Sequence, residues 1–176
     1  MGGGILPVAL HKNKLYFLFG LENKKDDTPG WADFGGGKNN SESFFETAVR
    51  EGTEELNGFL GNIKEVSRKV KRDKLLTVKV ESYTTFIFYM DYDEKLPYYF
   101  NNNFRFSQRK MPDLIENTKN GLLEKQRIKW FSEDEIKKVR QFRSFYQRIV
   151  EKIIPEIGNI KKKLKMKHNK TVKNKK

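Results

Sequence analysis

The sequence predicts one α/β domain in which helices pack on an antiparallel or mixed sheet. Three observations predict it. Residues 5–22 and 75–91 carry strand-like apolar runs and alternation. Residues 42–56 and 132–153 carry the period of an amphipathic helix. The 176-residue chain, with 36% hydrophobic residues and 14 phenylalanines, is long enough for one core and short for two.

Taken in order, Ile5 to Glu22 reads as two strands, ILPVAL and LYFLFGLE, joined at the polar turn HKNK. NKKDDTPG is a charged loop closed by Pro-Gly, and WADFGGG then leads an aromatic approach into three glycines. A helix over 42–56, capped by Ser41 or Ser43, puts Phe45, Ala48, Val49, Gly52 and Leu56 on one face. It should end near Asn57-Gly58, residues tolerant of the left-handed conformation. Ile63 to Lys71 and Leu75 to Asp91 read as strands. Residues 92–123 show no sustained period and receive no assignment. Leu122 to Phe131 reads as a last strand. From Ser132, with Glu135 at capping-box spacing, a helix is expected through Ile153 until Pro155 interrupts it.

Lys and Arg total 36 against 23 Asp and Glu, a net charge of +13. Nine lysines and no acid fall in residues 161–176, so a single domain over 1–160 and a lysine-rich basic tail over 161–176 are expected. Such a tail attracts phosphate without fixed geometry, which makes RNA a candidate partner; solubilising or localising roles fit equally. The absence of cysteine excludes disulfides and thiolate chemistry, and with two histidines any metal must be held by oxygen, favouring Mg2+, Mn2+ or Ca2+. No transmembrane run and no secretory leader pattern are present, so an intracellular location, cytoplasmic or nuclear, is expected. Oligomeric state leaves no mark in the sequence.

Glu51, Glu54 and Glu55 stand at i, i+3 and i+4 of the helix over 42–56. Like charges at that spacing repel, so solvent screens them or a cation occupies them. Arg50 is placed to hold carboxylates, reaching Glu54 one turn on or Glu42 if the chain folds back. Three glutamates on a helix are by themselves the common pattern of a solvated face; the adjoining glycines and Arg50 set this one apart.

Gly36, Glu42 six residues on, Arg50-Glu51 eight further and Glu54-Glu55 together resemble the signature of the Nudix hydrolase family. WADFGGGK resembles its aromatic, glycine-rich lead-in, and EKQRIKWF its late strand. Gly52 departs from the usual aliphatic, and Asn57 from the usual glycine. The resemblance implies a Nudix-like α/β/α sandwich with a mixed β-sheet. It also implies Mg2+- or Mn2+-dependent hydrolysis of a phosphoanhydride in a nucleoside diphosphate linked to another group. Carried onto this chain, Glu51, Glu54, Glu55 and Glu42 are the metal-ligand candidates, Glu42 for a second ion or else as the anchor of Arg50; Glu51 is also the candidate general base if it does not bind metal directly, and Arg50, Glu54 and Glu55 complete the catalytic set. Gly36, Gly37, Lys38, Trp31 and Phe34 are the substrate-binding candidates, the two aromatics as stacking surfaces for a base. A further acid could come from Asp91, Asp93, Glu94, Asp113, Glu116 or Glu124. Capped RNA is one substrate candidate, held through the body and the basic tail, and small nucleotides are another. A catalytically weak RNA-binding module is the alternative from a different class.

Overall fold

A computed structural model describes residues 1–23, 28–116 and 123–173, with side chains through residue 166. Strands β1 (Gly2–His11) and β2 (Lys14–Glu22) form the expected hairpin, with Lys12 and Asn13 at φ 48° and 61° in its two-residue turn. They pair only at the hairpin end, from Val8↔Phe17 to His11↔Lys14, and then splay. Strands β3 (Trp31–Ala32) and β4 (Phe34–Gly37) fill the wedge: β3 pairs with β2, and β4 pairs antiparallel with the start of β1. Asp33 marks the crossing from one partner to the other.

Helix α1 (Phe44–Glu55) begins where a capping motif places it, with Ser43 and Glu46 each bonding the other's backbone N–H. It ends on Leu56, followed by Asn57 and Gly58 at φ 48° and 71°. Gly52 lies against the sheet with Ile5 filling the volume an aliphatic side chain would take; a Cβ there would sit 2.4 Å from Ile5 Cδ1. The strand expected at 63–71 is instead helix α2 (Ile63–Asp73). Asn62 and Glu65 form a second capping box, and Val66 and Val70, one turn apart, are its buried residues. Strands β5 (Lys74–Val80) and β6 (Tyr83–Tyr89) form the next hairpin, and β6 runs parallel to β1.

Helix α3 (Leu96–Lys110) fills part of the unassigned region. The Asp93 carboxylate accepts from the Lys95 and Leu96 N–H groups at its start, and Leu96, Phe100, Phe104 and Ser107 face inward. A short helix α4 (Pro112–Glu116) follows. Strand β7 (Lys125–Ser132) pairs with the free edge of β2; the expected start at Leu122 lies outside the described residues.

The helix expected from Ser132 does not run. Ser132 and Glu135 do make both capping bonds, but the chain turns only to residue 138. It is then drawn out straight against β3, where Trp31 N–H donates to Gln141 O and Arg143 N–H donates to Trp31 O. Helix α5 (Ser144–Ile153) starts after that bridge. Pro155 converts one turn to 3-10 geometry without ending the rod, which continues as α6 (Ile157–Lys173). The boundary expected at 160/161 therefore falls inside α6. Leu164 is fully buried, Lys161 pairs with Glu133, and Lys163 donates to the Leu75 carbonyl, so residues 161–164 belong to the packed body.

The result is an α/β/α sandwich on a mixed sheet. α1, α2 and α3 cover one face over Ile5, Leu18, Phe34, Phe88 and Ile128. α5 and α6 cover the other over Phe17, Phe19, Val78, Ile87 and Phe131. Among the described residues no helix is long and apolar enough to cross a membrane.

Candidate active site

The site forms where α1 lies along the glycine strand β4. Arg50 organises it. Its Nε and Nη2 donate to the two oxygens of Glu42 (2.7 and 3.0 Å), Nη1 meets Glu51 (2.8 Å) and Glu54 (3.1 Å), and Nη2 also reaches the Gly37 carbonyl (3.1 Å). One guanidinium thus converges three carboxylates and a backbone oxygen, offsetting the repulsion their spacing creates. Glu42 is the anchor of this array: besides Arg50 it accepts from Thr47 Oγ1 and Asn39 N–H, and Arg50 is the first cause that holds it down at about pKa 2. Both its oxygens accept from neighbouring groups, and through them it fixes Arg50.

Glu51 lies half-buried with its carboxylate directly on Gly36. A Cβ at residue 36 would come within 2.6 Å of Glu51 Cδ, so only glycine lets the strand pass this close. Burial raises the Glu51 pKa, and Arg50 opposes the rise. Glu54 is the most open of Glu51, Glu54 and Glu55. Glu55 points the other way, into the protein. Its Oε2 accepts from Gly35 N–H (2.7 Å) and its Oε1 pairs with the fully buried Lys125 ammonium (3.0 Å). Lys125 also bonds Glu22, which in turn pairs with Arg143 (2.6 Å). Burial acts to discharge Lys125, but Glu55 and Glu22 outweigh it and hold the ammonium charged.

A cleft of about 370 Å³ opens against β4, between Gly35–Gly37, the β5–β6 turn at Glu81 and Ser82, Tyr83, and the start of α5 with Arg143, Phe145 and Arg148. The glycine strand therefore borders both the carboxylates and the cleft. Phe145 is partly exposed there, with Arg143 over its ring and Tyr83 edge-on.

The aromatic candidates need correcting. Phe34 is fully buried beneath α1, and Trp31 is packed edge-on against Phe131 with the Arg127 guanidinium over its ring, so neither presents a face to a base. The accessible ring beside the glycines is Phe145, in the first turn of α5. Lys38 follows β4, its N–H donating to Met1 O. Of the outlying acids, Asp93 caps α3, Asp91 accepts from Tyr89, and Glu124 acts electrostatically on Glu55.

Beneath the strand crossing, Asp33 is buried and accepts from Tyr83 Oη (2.9 Å) and Thr85 Oγ1 (2.7 Å). Burial raises its pKa from 3.8 to about 6, against the lowering effect of those hydroxyls. The folded state thus binds this proton more tightly than the unfolded chain, and Asp33's contribution to stability is full below its ordinary value and is lost as pH rises through about 6. Asp33→Asn should remove a fall on the order of 3 kcal/mol between about pH 4 and pH 8, read as the difference between the two proteins in urea unfolding.

As a metal site the residues present fit a hard divalent cation. Glu51 and Glu54 converge on one Arg50 nitrogen and the Gly37 carbonyl lies beside them, an all-oxygen set suited to Mg2+ or Mn2+. Among the described residues no three acid or histidine side chains stand as a ready-made cage.

Neither a family model nor a curated protein matches the sequence. Solved structures do match. A bifunctional NMN adenylyltransferase/ADP ribose pyrophosphatase from Francisella tularensis, complexed with AMP and a manganese ion, superposes with TM-score 0.58 at 13% identity, covering 89% of this chain. This chain spans only 41% of that protein. A Nudix hydrolase from M. smegmatis gives 0.54 at 13% identity, with coverage of 90% and 86%, and a C. elegans Ap4A hydrolase gives 0.51 at 12%, with 90% and 97%. With the signature residues Gly36, Glu42, Arg50, Glu51, Glu54 and Glu55 gathered around α1 and β4, the chain has the Nudix fold.

Proposed function

We propose that this protein hydrolyses a phosphoanhydride bond in a nucleoside diphosphate linked to another group, using Mg2+ or Mn2+. The observation that carries the reading is the glycine strand shared by two features: Arg50 gathers Glu51 and Glu54 beside Gly36 and Gly37, and a nucleotide-sized cleft bearing Arg143, Arg148 and an aromatic ring opens against the same glycines. ADP ribose and Ap4A, which name two of the structurally similar proteins, belong to that substrate class.

In the proposed mechanism Glu51 and Glu54, with the Gly37 carbonyl, hold the cation. Once bound, it neutralises diphosphate charge and lowers the pKa of its water. Glu51 is also the candidate base for the attacking water, a role open to it only where it does not ligate the cation directly. Arg50, fixed by Glu42, keeps the carboxylates in register. The Arg143 and Arg148 guanidiniums line the cleft, paired there with Glu22 and Glu81, and Phe145 offers an apolar face for the base.

Product analysis with Mg2+ or Mn2+, over capped RNA and a panel of nucleoside diphosphate derivatives, tests the reading. Metal-dependent release of a nucleoside phosphate supports it; no cleavage of any member overturns it. Capped RNA is the finer proposal, supported by the lysines of α6. Its test is a truncation after residue 166, which should weaken RNA affinity and flatten its salt dependence while leaving small-nucleotide turnover unchanged. A cut at 161 would not be a clean test, because losing the buried Leu164 alone costs about 2–5 kcal/mol.

A further inference from the structure

The three helix glutamates are not equivalent. Glu51 and Glu54 keep 15% and 34% of their side-chain surface exposed, whereas Glu55 keeps 3% and Lys125 none. Both Glu55 oxygens already carry a donor, the Gly35 N–H on one and the Lys125 ammonium on the other. The lysine is built in. Its stem passes over Gly20, where a Cβ would lie 2.8 Å from Lys125 Cδ, so the strand leaves room for it. Glu22 receives Lys125 and is itself locked by Arg143. Two carboxylates and two cations thus form a closed and charge-balanced cluster. A divalent cation reaching Glu55 would have to displace a fully buried ammonium from Glu55 Oε1 and would meet its positive charge at close range.

We propose that Lys125 takes the place at Glu55 that a metal ion would otherwise fill, so that the catalytic cation is held from Glu51 and Glu54 without Glu55. Lys125 is then a positioning residue, an internal cation that turns the third glutamate into a strut for Gly35 and the glycine strand. The inference rests on the metal-hydrolase reading and corrects one of its ligands.

The experiment is Mn2+ titration of the full chain followed by electron paramagnetic resonance, on wild type, Glu51→Gln, Glu54→Gln and Glu55→Gln. Glu51→Gln and Glu54→Gln should each weaken Mn2+ binding about tenfold or more, and Glu55→Gln by less than about twofold. Because Glu55→Gln disturbs a buried pair and could lose its fold, the second measurement uses wild type alone: anomalous scattering from Mn2+-soaked crystals should place the ion on Glu51 or Glu54 oxygens and away from Glu55. A manganese ion ligated by Glu55, or equal losses in all three variants, overturns the inference and leaves the hydrolase reading standing. Wild type that binds no Mn2+ overturns both.

Discussion

Glu51→Gln should lower kcat by about 10²–10⁴-fold with little change in KM, the range lost when a general base is removed. The substitution preserves shape, so the amide still lies against Gly36, where little more than a hydrogen's room is available. It removes the charge that holds a cation and the lone pair that takes the water's proton. Rate against substrate concentration at saturating Mg2+, with circular dichroism on the same sample, separates a chemical loss from an unfolded one. A folded variant with unchanged kcat would remove Glu51 from the chemistry.

Lys125→Met should cost about 3–5 kcal/mol, the loss expected when one partner of a buried ion cluster is taken away. Glu22 retains Arg143, but Glu55 is left as a buried carboxylate with only the Gly35 N–H. Adding Glu55→Gln to Lys125→Met should recover part of that loss, since a neutral amide still accepts from Gly35 and no longer needs a countercharge. Trp31 and Trp130 are both buried and report unfolding in urea by fluorescence. A single variant within about 1 kcal/mol of wild type would mean that the cluster does not hold the fold together.

The parts of this protein legible in its sequence are those whose causes are local. The β1–β2 turn, the caps of α1 and the residues Asn57 and Gly58 after it are each specified within a few positions, and the Arg50 array follows from helical spacing once Glu42 folds back. Helix α2 was misread although its signals were local too: Asn62, Glu65, Val66 and Val70 make a capping box and a one-turn stripe, and the Ile and Val content pointed to a strand instead. Helix α5 starts late for a reason no local window contains, since residues 141 and 143 bond Trp31 more than a hundred positions away. Lys125 was invisible for a similar reason. A bulge pairs Leu21 with Arg127 but Glu22 with Lys125, and this slip turns a lysine that begins a surface-like stretch into the interior.

The wedge between β1 and β2 also governs the order in which a growing chain can become protein. Beyond its short hairpin pairing with β2, β1 pairs with residues 34–37 and 83–89, and β2 pairs along its far edge with residues 125–132. Pairings of that sequence separation form slowly because each closes a long loop before it gains contacts. Glu22 and Glu55 both depend on β7 for their lysine. β7 thus closes the outer edge of β2 and brings Lys125 to Glu22 across 103 positions of sequence.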